Sequence, residues 1–300
     1  MLSAVIIAWN EEENLARVLS SIKKLAQEIV LVVDKNTTDK TAQIGKSFGC
    51  KVFFHPHTGY VEPMRNFAIS KARGEWILLL DADEEIPDAL GEKIKKCIAN
   101  DKIDYYRIPR KNIIFGKWIK SSHWWPDYVY RLFKKDSLTW DDTIHSLPFT
   151  KGNGADIEVT ENLAIIHHNY NSIEEYLEQI NRYTSYQLEF LESKGYSFAW
   201  QDLLTKPISE FISQYFARSG YKDGVHGLTL SLLQAFSEFV LYAKLWQKRG
   251  FVDQSISTQE VTQVLVQKST EYKWWKYESQ INNTNFLFKI FLRVKRKLGI

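Results

Sequence analysis

The run Trp76-Ile77-Leu78-Leu79-Leu80, broken at once by Asp81-Ala82-Asp83-Glu84-Glu85, constrains the fold of this chain more than any other segment. Consecutive apolar side chains without polar alternation describe a strand covered on both faces, as in the middle of a parallel sheet. Carboxylates crowded at the end of such a strand repel one another unless a cation sits among them. Oxygen donors with no thiol nearby select a hard ion, Mg²⁺ or Mn²⁺. Ligands of α/β sheets bind beyond the carboxyl ends of the strands, which makes Asp81 and Asp83 candidate metal ligands. An acidic helix cap ahead of Pro87 is the plainer alternative for this turn.

The residues before it repeat the pattern. Leu2 to Ala8 is an apolar run followed by Trp9-Asn10-Glu11-Glu12-Glu13, where Asn10 suits a helix N-cap and the glutamates suit the first turn. Leu15, Val18, Leu19 and Ile22 then recur at helical spacing. Glu28 to Asp34 is a second buried strand that ends in an acid, Thr38 to Thr41 opens a second helix, and Lys51 to His55 is a third strand. Val61 to Arg73 reads as a helix closed by Gly74. This alternation predicts an α/β fold with a mostly parallel, doubly wound sheet. Asn10, Asp34, His55 and Asp81 then line one crevice. Asp34 otherwise caps the helix near Thr38, and capping explains Asn10 nearly as well. Arg65, on the third helix, is suited to a phosphate, with a surface ion pair as the simpler role.

Asn10-Glu11-Glu12, Val33-Asp34 with Thr38-Asp39-Lys40-Thr41, Arg65-Asn66-Phe67-Ala68 and Asp81-Ala82-Asp83-Glu84 together resemble glycosyltransferase family 2. The resemblance implies a GT-A fold in which the Asp-x-Asp turn is the metal motif. Three later segments are similar to a narrower branch, the bacterial lipopolysaccharide inner-core β-1,4-glucosyltransferases. They are Trp124 to Phe133, then Ile166 to Ser172 with Asn181-Arg182-Tyr183-Thr184, and Asp223-Gly224-x-x-Gly227 with Tyr242 to Trp246. The resemblance runs to about residue 250. It implies an inverting hexosyltransferase that takes a nucleoside-diphosphate sugar, a UDP-sugar by preference, to a glycolipid or glycan acceptor.

The resemblance implies a nucleotide-sugar donor in that crevice, with Asp34 accepting hydrogen bonds from its nucleobase or ribose and Asn10 and Glu12 contacting the nucleotide. A departing diphosphate accumulates negative charge, which a divalent ion held by Asp83 offsets, with Asp81 either a second ligand or in reach of the donor ribose. The attacking hydroxyl needs a carboxylate base. Asp142 is favoured over Asp127, with Asp141 a third candidate and His145 placed to orient the acceptor. The chain departs from the family here, because Ser146 stands where relatives carry a glutamate. His167 matches the family's histidine after a strand and would complete the metal shell or touch the diphosphate. Trp118, Trp124, Trp125 and Trp140 offer flat faces for sugar rings, although aromatic side chains more often pack cores.

Composition bounds the rest. A net charge of +3 is too small to imply nucleic acid, and Cys50 and Cys97 make no disulfide framework. The first residues lack the basic region of a signal peptide, and no stretch of about 20 uninterrupted apolar residues suggests a spanning helix. These features predict a cytoplasmic protein. Residues 1–172 read as the transferase domain and 173–300 as a helical region. The tail from Phe286 to Lys297 mixes Phe288, Phe291 and Leu292 with Lys289, Arg293, Lys295, Arg296 and Lys297. Such a stretch suits peripheral contact with the inner face of the cytoplasmic membrane. Two other classes compete. A nucleotidyltransferase would need a glycine-rich basic loop where Trp9 to Glu12 stand, and a non-catalytic membrane-associated scaffold would not need the Asp81/Asp83 pair.

Overall fold

The computed structural model describes residues 1–58, 62–141, 147–282 and 286–298. The chain forms two compact units. The first is Met1–Ile114 with Trp124–Asn169, and the second is Phe115–His123 with Tyr170–Ile300.

In the first unit, β1 (Leu2–Ala8), β2 (Glu28–Asp34), β3 (Lys51–His55) and β4 (Trp76–Asp81) lie parallel in the order β3-β2-β1-β4. Helices α1 (Leu15–Ile22), α2 (Thr41–Ser47) and α3 (Glu62–Lys71) connect them. The unbroken apolar runs have a direct cause, since β1 feeds a core on each face. Leu2, Ala4, Ile6 and Ala8 join a cluster with Leu15, Val18, Leu19 and Ile22 of α1 and with Leu90 and Ile94 of α4 (Asp88–Ile98). Val5 and Ile7 join Met64, Ala68 and Ile69 of α3.

Beyond β4 the sheet turns antiparallel. β8 (Asp127–Lys134) runs against β4, and β6 (Tyr105–Ile114) runs against β8. β12 (Ile165–Tyr170) runs against the two-residue β5 (Glu84–Glu85). That last pairing sets His167 opposite Glu84 and so carries a histidine onto the acidic turn. β7 (Lys117–Trp118), β9 (Leu138–Thr139), β10 (Phe149–Thr150) and β11 (Gly154–Asp156) are short extended segments.

The second unit is helical: α5 (Ile173–Ser193), α6 (Asp202–Ile212), α7 (Val225–Lys248), α8 (Thr258–Asn282) and α9 (Phe286–Leu298). Ser172 caps α5 by accepting the Glu175 N–H, while Glu175 accepts the Asn171 N–H in return. Asp223 explains part of the Asp-Gly-x-x-Gly segment. Its buried carboxylate accepts the backbone N–H groups of Lys120 and Ser121 at 3.1 and 2.9 Å, and so anchors the excursion Phe115–His123. Gly227 meets the Gly220 carbonyl so closely that a Cβ would overlap it.

By length and composition α7 is apolar enough to cross a membrane, but Gln234, Glu238 and Lys244 interrupt it and a third of its most apolar window is buried in the protein, so the expectation of no uninterrupted apolar span stands. One expectation changes. In α9, Leu292 is 3% exposed and packs inward, so it cannot insert into a bilayer. Among the described side chains of that helix, Phe288, Ile290, Phe291 and Val294 are the exposed apolar groups.

Candidate active site

The loops after β1 and β2 are laced to each other. Asn10 adopts a left-handed φ of 54° and accepts the Thr38 N–H at 2.9 Å. The Glu12 N–H donates to Asp39, and the Glu12 carboxylate accepts the Lys40 N–H. Asn10 is therefore not a helix N-cap. α1 starts after Asn14, and the Glu11 carbonyl closes the turn by accepting the N–H groups of Asn14 and Leu15. Asp34, 3% exposed, accepts the Asn36 N–H at 2.8 Å and pairs with His57 Nδ1 at 2.8 Å. It caps no helix, because Lys40 occupies the cap position of α2 and Asp39 accepts the Thr41 N–H. The His57 ring lies 5.1 Å from that of Trp9. Trp9, Asp34 and His57 thus gather where β1, β2 and β3 end.

The acidic turn is the charged centre of the unit. Glu84 is fully buried and takes Arg131 at 2.8 Å and Arg110 at 3.0 Å. Arg131 also pairs with Asp81. Burial alone would raise the Asp81 pKa, but Arg131, then Arg65 and Arg110, outweigh it and hold the carboxyl well below the usual range. Arg65 lies over the Trp140 ring at 5.5 Å. Trp140 is 4% exposed and packs on Phe133, so it belongs to the core and is not a platform for sugar. Trp124 and Trp125 are half-buried, and in the second unit Lys120 covers Trp118 at 3.8 Å.

Asp83 stands apart from this compensation. Its Oδ2 lies 3.2 Å from His167 Nε2, and its Oδ1 is buried with no hydrogen-bond partner. His167, 7% exposed, bonds through Nδ1 to Asn112 at 2.6 Å. Beside them, burial and the charges of Asp83 and Asp81 push the Glu11 carboxyl up to about 8. A buried carboxylate oxygen without a partner and a neighbouring acid driven toward neutrality both mark a shortage of positive charge. Asp83 and His167 fit a divalent cation. Among the described residues no three His, Cys, Asp or Glu side chains form a metal-holding group. Mg²⁺ needs no such cage, since it is commonly held by one or two carboxylates with substrate phosphates and water.

Asp127 Oδ2 accepts Arg110 at 2.6 Å and Asn112 at 3.1 Å, which ties this carboxylate into the wall of the site. Asp142 and His145 lie outside the described residues. Sequence reasoning passed over Glu11 as a site residue, and over His57, Arg110, Asn112 and Arg131. Arg131 sits in the Trp124 to Phe133 segment that carried the family resemblance. Asn112, inside a strand, gave no signal at all.

Residues 3–151 match the family model for glycosyl transferase family 2. An uncharacterized glycosyltransferase of Rickettsia typhi is 31% identical over 257 residues, covering 81% of this chain and 86% of that protein. The lipopolysaccharide core biosynthesis glycosyltransferase LpsC of Rhizobium meliloti is 23% identical over 257 residues, covering 83% of this chain and 93% of LpsC. The crystal structure of S. aureus TarS 1-349 aligns with a TM-score of 0.45 at 15% identity, over 81% of this chain and 91% of that one. The α/β unit followed by a helical region is the architecture expected from the sequence. On the family match and on a relative this similar over most of its length, the chain belongs to glycosyltransferase family 2 and is a glycosyltransferase.

Proposed function

We propose that the protein moves a hexose from a nucleoside-diphosphate sugar, a UDP-sugar by preference, to a lipopolysaccharide-core or related glycan, with inversion at the anomeric carbon. The observation that carries this reading is the Asp83–His167 pair with its unpartnered carboxylate oxygen. A Mg²⁺ or Mn²⁺ ion held there would offset the charge that develops on the leaving diphosphate. Trp9, Asp34 and His57 form the nucleoside end of the site. Asn10 and Glu12 shape its loop, and Arg65 faces the phosphates. Asp81, compensated by Arg131, is a fixed acceptor for the donor ribose. Its place as a second metal ligand is the weaker assignment, because Asp83 has the unpartnered oxygen.

In an inverting transfer, the acceptor oxygen forms its bond to the anomeric carbon as the bond to the diphosphate oxygen breaks. The nucleoside diphosphate leaves, and the acceptor proton passes to a carboxylate. Asp142 is assigned as that base, with His145 orienting the acceptor. Asp127 is less suited, since Arg110 and Asn112 already occupy one of its oxygens. The core-glycan acceptor is supported by the likeness to LpsC. Residues 1–172 are proposed as the transferase domain. The helical remainder is proposed to meet the inner face of the cytoplasmic membrane through α9, where Lys289, Arg293 and Lys295 accompany the exposed Phe288 and Phe291. The test is a panel of nucleotide-sugars with Mn²⁺, read as nucleoside-diphosphate release. Release from a UDP-hexose, stimulated by core oligosaccharide, is the expected result; release from a GDP- or dTDP-sugar alone would overturn the donor assignment.

A further inference from the structure

We propose that Asn112 is a positioning residue that fixes the His167 ring with a hydrogen on Nδ1, so that Nε2 is the ring nitrogen left to share a cation with Asp83. The first half follows from hydrogen-bond logic alone. Asn112 is fully buried. One end of its amide lies 2.9 Å from the Trp124 carbonyl oxygen and 3.1 Å from Asp127 Oδ2. A peptide carbonyl only accepts, and an ionised carboxylate only accepts, so that end is the NH₂ group with both hydrogens in use. The other end is therefore the amide oxygen, and it faces His167 Nδ1 at 2.6 Å. An amide oxygen cannot donate, so Nδ1 carries the hydrogen.

The second half follows from what Nε2 then meets. With Nδ1 turned to Asn112, the nitrogen beside Asp83 is Nε2, 3.2 Å from Oδ2. Two such atoms this close need a cation between them, a proton or a metal ion. Adjacent ligands of an octahedral ion with bonds of about 2.1 Å lie about 3 Å apart, so the spacing suits one divalent cation. The same chain of contacts gives Asp127 a task, since it orients Asn112 and is itself held by Arg110. This inference deepens the metal site proposed above and rests on it only for the metal arm of its test.

The test uses full-length protein in two arms. In the first, ¹⁵N-histidine-labelled protein is studied by two-bond ¹H–¹⁵N correlation at pH 8 without metal. The expected pattern for His167 is a protonated Nδ1. A ring protonated on Nε2 alone would overturn the proposal, and this arm needs no variant. In the second, Mn²⁺ binding in the presence of UDP is read by electron paramagnetic resonance. Asn112→Leu should weaken Mn²⁺ binding about 10- to 100-fold, the range seen when a group orienting a ligand is removed. Asn112→Asp, which keeps an acceptor for Nδ1–H, should stay within a few-fold of wild type. Unchanged affinity in a folded Asn112→Leu protein would contradict the positioning role. Absence of Mn²⁺ binding in the wild type would instead remove the metal reading, while the tautomer arm still decides the assignment of Asn112.

Discussion

Arg131 Nη2 lies 2.8 Å from Glu84 Oε1, and both side chains are sealed from water, at 3% and 0% exposure. A buried pair of this kind contributes little net stability as a pair, but removing one partner strands the other charge. Arg131→Met should therefore destabilise the protein by about 3–5 kcal/mol, less whatever Arg110 recovers by holding Glu84 alone. Urea unfolding measures it, and a loss under about 1 kcal/mol would show that Arg110 suffices.

Asp34→Ala removes the acceptor for the Asn36 N–H and the partner of His57. Donor binding should weaken by about 1.5–3 kcal/mol, the range for hydrogen bonds to charged groups. Titration calorimetry with UDP reads this directly. His57→Ala run beside it should weaken UDP binding in the same direction. If neither variant changes the dissociation constant, this corner of the sheet is structural.

Glu28 supplies a pH-dependent part of the stability. Burial raises its pKa, but the backbone N–H of Arg73 and the side chains of Lys51, Ser3 and Arg73 outweigh that and bring it to about 2, against 4.5 in an unfolded chain. The folded state therefore prefers the ionised form. Its contribution, about 3 kcal/mol by linkage, is present above pH 4.5 and is lost as the pH falls toward 2. Denaturant melts of wild type and Glu28→Gln should differ most at pH 7, by about half as much at pH 3, and converge toward pH 2. A gap that does not change with pH would contradict this.

Much of the first unit can be read from the sequence. The runs at Leu2–Ala8, Glu28–Asp34, Lys51–His55 and Trp76–Asp81 are strands with the bounds their composition suggests. The reason is physical, since a strand covered on both faces must be apolar throughout and its ends are marked by the first polar residue. The acids at those ends were legible for the same reason. Their partners were not. Arg131 and Arg110 come from β8 and β6, and His167 from β12, strands whose antiparallel placement is fixed by pairing at long range. Asn10 misled because asparagine suits a helix cap and a left-handed turn equally well, and only the Thr38 N–H across the crevice decides between them. Trp140 misled because an aromatic ring suits both core and sugar, and the clamp of its backbone by Asn66 draws it inward.

Deleting residues 286–300 removes the basic helix α9 with its exposed Phe288, Ile290, Phe291 and Val294. Each cation near an anionic surface is worth about 1 kcal/mol and is screened by salt. The full chain should sediment with phosphatidylglycerol-containing vesicles at low salt, and the truncated chain should remain in the supernatant. Equal sedimentation of the two would shift any membrane contact to α7.

The central claim is that Asp83 and His167 hold a divalent cation with the donor. The most direct measurement is Mn²⁺ binding with UDP, followed by electron paramagnetic resonance, for wild type, Asp83→Ala and His167→Ala. The account predicts about one Mn²⁺ per chain in the wild type. In either variant it predicts binding at least 10-fold weaker, which is about 1.4 kcal/mol, with an unchanged circular dichroism spectrum. Asp83→Ala should also retain less than a tenth of wild-type turnover. Full Mn²⁺ affinity in a folded Asp83→Ala protein would contradict the account, because the one carboxylate oxygen left unpartnered at the turn would then have no ion to hold.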